Sequence, residues 1–400
     1  MLKGKNILLG VSGGIAAYKM ANVASMLVKL GADVHVVMTE NATKIITKEV
    51  FEVLTKNKVY TDVFAPGEPE NGYVPHVHLG ETADAILIAP ATANIIGKIA
   101  NGIADDMLST TVLPARCPVI IAPSMNVHMF ENRIVQSNIE KLREFGFIIV
   151  EPSEGHLACG YDGKGKLPEE AELVDAVLKA AAKPHDLEGK KVLVTAGPTE
   201  EALDPVRFIT NHSSGKMGYA LAEVAAMRGA DVTLISGPTS IRKPYGIKII
   251  DTVSAEDMYK AVMSEAPGQD IIIMSAAVAD YTPVTTADEK IKKSDGDMAI
   301  PLKRTKDILK TLGEIRKPEQ FICGFSMETE NVLQNSREKL IKKNVDMICA
   351  NSLRTPGAGY KVDTNIVTII TGTGMEELPI MTKHEVSDKI FDAILKTKNI

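Results

Sequence analysis

Short β-branched and aliphatic runs alternate along the chain with longer amphipathic stretches, the pattern of helices packed on parallel sheets. Asn6–Val11 predicts a buried strand, Ser12-Gly13-Gly14 a tight turn, and Ala16–Leu30 a helix stopped by Gly31. Asp33–Met38 predicts the next strand. Ala85–Ala89 and Val119–Ala122 predict two more, each followed by Pro and small polar residues, and Ile148–Val150 a further one. The opening unit then recurs. Lys191–Ala196 reads as a strand, a Gly/Pro turn follows, Tyr219–Arg228 reads as a helix, and Gly229-Ala-Asp-Val-Thr-Leu-Ile echoes Gly31-Ala-Asp-Val-His-Val-Val. Asp270–Met274 is another strand. Two independent strand–turn–helix–strand openings predict an α/β chain of two Rossmann-like domains, each a mainly parallel sheet flanked by helices. The boundary falls near Ala182–Gly189, where an Ala-rich helix ends at Pro184, giving domains of residues 1–185 and 190–400.

Length agrees with this division, because 400 residues exceed what one hydrophobic core organises. The apolar share of 45% and charged share of 24% are ordinary for a globular protein. A net charge of −6 weighs against nucleic acid as a partner, so an anionic substrate would need a local basic cluster. Trp is absent, which disfavours stacked-base or carbohydrate platforms. Cys117, Cys159, Cys323 and Cys349 are widely spaced with no C-x-x-C, so reduced thiols in a cytoplasmic setting are expected, with neither a disulfide frame nor a zinc site. No apolar run reaches the roughly 20 residues of a membrane span. The apolar start is broken by Gly13-Gly14 and continues into a helix pattern, against a signal peptide.

In the first half, Gly10-Val-Ser-Gly13-Gly14-Ile15 lacks the G-x-G-x-x-G order of a dinucleotide fingerprint. The N–H groups of a following helix can still hold one phosphate, which suits a mononucleotide; a plain turn accounts for it equally. The loops Ala89–Asn94 and Ala122–Asn126 follow strands, where ligands of open α/β sheets bind. Asn126 can clamp a carboxylate or amide, or simply form a turn. His76, in Pro75-His76-Val-His78-Leu79 ahead of the Ala85 strand, suits acid–base work, the plain alternative being an exposed loop histidine. His76 and His78 lack the Cys or carboxylate partners of a metal site. Cys159 sits in the Gly-rich stretch Gly155–Gly165, which suits a lid whose thiol donates a proton or attacks; a small buried hydrophobe is the alternative.

In the second half, Asn211-His-Ser-Ser-Gly-Lys-Met-Gly218 imitates a P-loop but fails it: Thr210 stands where Gly is needed, and Met217 replaces the Ser/Thr. A Ser/Gly-rich turn ahead of a helix can still wrap an anion. Asp280, in Ser275-Ala-Ala-Val-Ala-Asp280, stands beyond a strand's carboxyl end, where it could hold Mg²⁺, a ribose or a base, or cap a helix. Basic residues then concentrate in Glu289–Lys293, Lys303–Asp307 and Arg337–Lys343, with Lys339 and Lys343 placed i, i+4 on one helix face. Such runs usually mean solvated faces, but in an acidic chain this density suits triphosphate and phosphate groups.

Residues 5–180 resemble the homo-oligomeric flavin-containing Cys decarboxylases, and among them the 4'-phosphopantothenoylcysteine decarboxylases. The resemblance rests on Gly13-Gly14-Ile15, His76 with Leu79, Pro90-Ala-Thr-Ala93, Pro123-Ser-Met-Asn126 (often Pro-Ala-Met-Asn in relatives) and Ala158-Cys159-Gly160. It implies a flavodoxin-like half with FMN held by Ser12, Gly13, Gly14, Ile15, Thr39, Pro90, Ala91, Thr92 and Ala93. It also implies His76 in oxidation and decarboxylation, Asn126 on the substrate carboxylate and Cys159 as proton donor. His78 stands where relatives often carry an acid and inherits no role.

Residues 190–395 resemble phosphopantothenate–cysteine ligase, through Ala196-Gly-Pro-Thr199, Asn211–Gly218, Ala276-Ala-Val-Ala-Asp280, Lys290-Ile-Lys-Lys293, Gly324–Thr329 and Ala350-Asn351. This implies CTP contacts from Ala276, Asp280, Lys290, Phe325, Lys339 and Lys343, with Thr305, Lys306, Asp307 and Ile308 alongside; relatives have Pro where Lys306 stands. Asn211 and Lys290 are implied in forming and turning over an acyl-cytidylate of 4'-phosphopantothenate, which the amine of cysteine attacks. Mg²⁺, with Asp280 as a candidate ligand, would neutralise the leaving pyrophosphate. The resemblance further implies a homo-oligomer, a dodecamer built from trimeric flavin contacts and dimeric ligase halves. A flavin-bearing regulatory or scaffold subunit without activity is the alternative; such a chain is expected to lack His76 or Cys159, and both are present.

Cys159→Ser is expected to stall the first half after carbon dioxide has left while ligation continues. Product masses read this directly, and a fully active variant refutes the proton-donor role.

Overall fold

The computed structural model describes residues 2–64, 74–156, 162–182, 185–292, 298–328, 332–352 and 362–398. Cys159, Pro184, Lys293 and Thr329 lie outside the described residues. The chain divides into two compact units, Met1–Lys183 and Pro184–Ile400.

In the first unit, β1 (Asn6–Val11), β2 (Asp33–Met38), β3 (Val59–Tyr60), β4 (Ala85–Ala91), β5 (Val119–Pro123) and β6 (Ile148–Ile149) form one sheet in the order β3-β2-β1-β4-β5-β6. Every pairing is parallel. Parallel strands are covered on both faces and so read as continuous apolar runs, as Ile7-Leu8-Leu9 and Ile86-Leu87-Ile88 do; all six are buried. The two-residue β3 is an edge addition, without which the order is the 2-1-3-4-5 of flavodoxin-like sheets. A small antiparallel hairpin, β7 (Ser153–His156) with β8 (Asp162–Lys166), follows.

Three local expectations are corrected. The first helix is not one piece over 16–30: a 3₁₀ turn, Ile15–Lys19, precedes an α-helix, Met20–Lys29. The tight Ser12–Gly14 turn accounts for this, because Gly14 N–H is already bonded to Ser12 O at 2.8 Å and Ala17 N–H returns to Gly14 O. His76 lies in no loop; Pro75 starts a helix, Pro75–Thr82, supplying a first residue that needs no N–H. The strand expected over 148–150 is only Ile148–Ile149.

In the second unit, β9 (Lys191–Ala196) leads into a hairpin of β10 (Glu200–Ala202) and β11 (Phe208–Thr210). Next come β12 (Asp231–Ser236), β13 (Lys248–Asp251), β14 (Ile271–Met274), and a second hairpin, β15 (Tyr281–Pro283) with β16 (Leu302–Arg304). The chain ends through β17 (Phe321–Glu328), β18 (Met347–Ser352), β19 (Thr364–Asn365), β20 (Val367–Thr371) and β21 (Gly374–Glu377). The main sheet runs β13-β12-β9-β14-β17-β18-β20-β21, parallel as far as β18 and antiparallel beyond it. The recurring helix spans Lys216–Met227 rather than 219–228, and β14 starts one residue after Asp270. Asp280 does not cap a helix, since a strand follows it.

One face of this sheet is covered by Lys216–Met227 and the C-terminal helix Lys383–Lys398, the other by Ala255–Glu265 and Ile308–Ile315. No described helix is long and apolar enough to cross a membrane. Phe391 is fully buried on the C-terminal helix, its ring 5.9 Å from the Arg228 guanidinium, which pairs with Asp186 at 2.6 Å and Asp392 at 2.9 Å. Phe391→Ala is expected to cost the second unit about 3–5 kcal/mol in chemical denaturation. A loss below about 1 kcal/mol would mean that this helix contributes little to the core.

Candidate functional site

In both sheets the central strand lies between neighbours whose connections leave in opposite directions. That arrangement opens a crevice beyond the carboxyl ends of the strands.

In the first unit the crevice lies between β1 and β4. Ser12 follows β1 and is buried; its Oγ donates to Pro90 O at 2.7 Å and accepts from Thr92 N–H at 3.1 Å. One hydroxyl thereby locks the turn after β1 to the loop after β4. A Cβ on Gly13 would lie 2.5 Å from Asn41 Cβ, so a glycine is needed there, and one on Gly14 would press on Pro90 Cγ at 3.2 Å. Thr39 and Thr92 each accept a backbone N–H, from Ala42 and Ile95, and so start the helices after β2 and β4. Pro90 and Ala91 are buried, Ala93 is half-buried, and Ile15 is 65% exposed at the rim.

Asn126, after β5, accepts His128 N–H at 2.9 Å through Oδ1 and caps the short helix Val127–Phe130. The turn-forming use weighed for Asn126 is therefore present. The helix Pro75–Thr82 is tied at its C-terminal end to the start of β1, where Asn6 Nδ2 donates to Thr82 O. His76, near its other end, is half-buried. His76 Nδ1 is buried without a hydrogen-bond partner.

In the second unit the same crevice lies between β9 and β14. Thr195, fully buried, accepts the N–H groups of both Ser275 and Ala276 at 3.1 Å. Ala277 N–H goes to Gly197 O at 2.9 Å and Ala279 N–H to Thr199 Oγ1 at 3.0 Å, so most N–H groups of the 275–279 loop turn back into the scaffold. Asn211 Nδ2 donates to Ala277 O at 3.0 Å.

Two cavities flank this loop and share Ala276, Val278, Asp280 and Phe325. The first, about 540 Å³, is also lined by Thr305, Lys306, Asp307, Ile308, Lys339 and Lys343. Asp307 caps the Ile308–Ile315 helix and is hydrogen-bonded to Lys343. Burial alone would raise its pKa, but Lys343 and the Lys310 N–H prevail and hold it below the usual carboxylate range. Lys339 donates to Ser326 Oγ at 3.2 Å. Lys306 is drawn to Glu256 at 2.9 Å, over the Tyr259 ring. Lys343 lies one residue past the helix Val332–Lys342, yet its N–H bonds Lys339 O at 2.9 Å, so the turn continues and both amines line one cavity.

The second cavity, about 420 Å³, is lined by Asn211, Ser213–Gly218, Ser275–Val278, Ser326, Asn351, Asn365 and Lys383. Gly215, at φ +81°, opens the helix Lys216–Met227 with no side-chain cap, and its own N–H donates to Ser213 Oγ at 3.3 Å, so the Ser/Gly-rich turn is folded tightly against the helix start. A Cβ on Gly218 would lie 2.5 Å from Ala196 Cβ and 2.8 Å from Thr195 O, so a glycine is needed for the helix to seat on β9.

Lys290, singled out in the sequence, lines neither cavity and is exposed beyond β15. Sequence reasoning missed Ser326, Asn365 and Lys383. Lys383 is 5% exposed and donates to Thr364 O at 3.2 Å; burial, with Lys216 nearby, lowers its pKa to about 8. Nothing in its local sequence, a lysine opening a helix, signals this. Asn351 Oδ1, also buried, has no partner.

Comparison with known proteins follows the same division. A family described as "Flavoprotein" matches residues 1–182, and one described as "DNA/pantothenate metabolism flavoprotein C-terminal domain" matches residues 187–397. "Coenzyme A biosynthesis bifunctional protein CoaBC" of Bacillus subtilis (strain 168) is 52% identical over 398 residues, covering 98% of this chain and 97% of its own. A "Cysteine/Cysteine sulfinic acid decarboxylase" from an unknown prokaryotic organism is 46% identical over 359 residues, covering 88% of this chain and 99% of its own. The crystal structure of the C-terminal domain of a coenzyme A biosynthesis bifunctional protein CoaBC is 45% identical, covers 53% of this chain and 96% of its own, and has a TM-score of 0.46. With relatives this similar across nearly its whole length, the chain belongs to the family of bifunctional enzymes of coenzyme A biosynthesis, with a flavoprotein first half.

Proposed function

We propose that the second half joins 4'-phosphopantothenate to cysteine at the expense of CTP and that the first half decarboxylates the resulting 4'-phosphopantothenoylcysteine to 4'-phosphopantetheine with FMN. The observation that carries the reading is the convergence of Ala276, Asp280, Thr305–Ile308, Phe325, Lys339 and Lys343 on one cavity that adjoins the Ser/Gly-rich turn at Ser213–Gly218.

For FMN, the fit rests on the turn and loops after β1, β2, β4 and β5 and on the orphaned Nδ1 of His76. Ser12, Gly13, Gly14, Ile15, Thr39 and Pro90–Ala93 would hold the cofactor, with backbone close enough for a flat ring because Gly13 and Gly14 lack side chains. When bound, FMN reversibly accepts the two electrons that must leave the thiol-bearing carbon before carbon dioxide can depart. His76 supports the proton movements of oxidation and decarboxylation, Asn126 orients the substrate carboxylate, and Cys159 delivers a proton at the end.

For ligation, the substrate carboxylate attacks the α-phosphate of the nucleotide, pyrophosphate leaves, and the cysteine amine displaces the nucleotide to form the amide. Lys339 and Lys343 neutralise phosphate charge, and Asn211 and Lys290 act on the acyl-nucleotide. Among the described residues no cluster of three His, Cys, Asp or Glu side chains could hold a metal, so Mg²⁺ would bind mainly through the triphosphate, with Asp280 as at most one ligand. Assembly into a homo-oligomer belongs to the same proposal.

Direct decarboxylation of free cysteine or cysteine sulfinate is the rival reading, suggested by the name of one long relative. Purified protein given 4'-phosphopantothenate, cysteine, Mg²⁺ and either CTP or ATP is expected to be yellow and to yield 4'-phosphopantetheine by mass. Carbon dioxide from cysteine alone, with no pantothenate-derived product, would establish the rival. Lys343→Met is expected to raise KM for the nucleotide about tenfold or more, as loss of a charged phosphate contact worth roughly 1.5–3 kcal/mol requires, and to leave the flavin spectrum unchanged. An unaltered KM would remove Lys343 from the nucleotide site.

A further inference from the structure

Lys290 faces a positioning problem. It is exposed, lines neither cavity, and carries about 2 kcal/mol of side-chain rotamer entropy. Whatever aims it must act on the backbone it springs from.

That backbone is fastened to the segment after β10 at three points. Thr286 Oγ1 donates to Ala202 O at 3.1 Å, and Ala287 N–H donates to Leu203 O at 3.0 Å. The third point is Ile291, immediately after Lys290. Its N–H donates to Asp204 Oδ2 at 3.1 Å, and its carbonyl accepts from Arg207 Nη2 at 2.6 Å. Both main-chain polar groups of the residue next to Lys290 are thus spent on one Asp–Arg pair.

Asp204 is itself only 2% exposed. Its Oδ1 accepts from Val206 N–H at 2.8 Å and Arg207 N–H at 2.9 Å, and Arg207 Nε stands 3.5 Å from Oδ2. Burial works against the charge, but the three backbone donors and Arg207 outweigh it and keep the carboxyl below its usual range. An ionised carboxylate is acceptor-only, so it can serve all three N–H groups at once. An amide there must turn its NH₂ toward one of them.

We propose that Asp204 is a positioning residue for ligation: through Ile291 it fixes the stem of Lys290 so that the amine reaches the acyl-nucleotide. The inference rests on the reading of Lys290 as a ligation residue.

Asp204→Asn keeps the size and one acceptor oxygen, which the two donors at Val206 and Arg207 will claim, and so releases the N–H of Ile291 while its carbonyl stays on Arg207. The expected result is a ligation kcat lower by about 10- to 100-fold, the scale of a misplacement near 1 Å, with KM for the nucleotide within about twofold and decarboxylation unchanged. Placing Asp204→Asn on a Lys290→Gln background should add no further loss, since the stem has nothing left to aim; a merely structural role would subtract from both backgrounds alike. If Lys290→Gln abolishes ligation while Asp204→Asn ligates normally, or if the two losses multiply, the clamp is overturned and the role of Lys290 stands. If Lys290→Gln ligates at the original rate, the reading of Lys290 falls and the inference with it. Should Asp204→Asn fail to fold, amide exchange in the unaltered protein decides: Ile291 is expected to be protected at least about 100-fold, and exchange at the unstructured rate overturns the clamp.

Discussion

In each unit one buried hydroxyl ties together the two segments that border the crevice. In the first unit Ser12 bridges the end of the central strand to the loop after the next strand, through Pro90 O and Thr92 N–H. In the second, Thr195 does the same through the N–H groups of Ser275 and Ala276. Each bond joins residues about 80 positions apart, 78 and 80 for Ser12, 80 and 81 for Thr195. In the second unit backbone bonds join the same two loops as well, Ala277 N–H to Gly197 O at 2.9 Å and Thr199 N–H to Ala277 O at 3.3 Å. A short buried hydroxyl, donating and accepting at Ser12 and accepting twice at Thr195, adds a side-chain tie between these loops and helps to place the groups that line the crevice.

The second unit also separates two electrostatic tasks. One cavity offers side-chain cations, Lys339 held by Ser326 and Lys343 paired with Asp307. The other is lined by the Ser/Gly-rich turn at the start of a helix and by a buried lysine, Lys383. In a chain of net charge −6, anion affinity therefore depends on local concentration of positive charge, with Phe325 and Ala276 forming the partition between the two compartments.

The repeated βαβ opening and the parallel sheets were legible because continuous apolar runs and glycine turns leave unambiguous periodic traces. The position of Asp280 beyond the strand now seen at Ile271–Met274 was legible too, whereas the hairpin that places Asn211, residues 200–210, left no periodic mark. The 3₁₀ entry at Ile15–Lys19 was hidden, because it depends on which carbonyl the Gly14 N–H chooses. The helix around His76 was hidden behind a short, weakly patterned stretch. Lys383 and Asn365 could not be read at all: they reach the second cavity only through the return of the last strands and the C-terminal helix, a long-range event with no local mark.

Gly218 illustrates what such a fold asks of evolution. It offers a ligand no side-chain atom, yet the smallest addition would wedge the helix away from β9 and carry the Gly215 end with it. In a mutational scan scored by growth alone, this position would be as intolerant as the lysines across the partition, and a geneticist would file it among the chemistry. Its intolerance would instead record a clearance between two pieces of backbone.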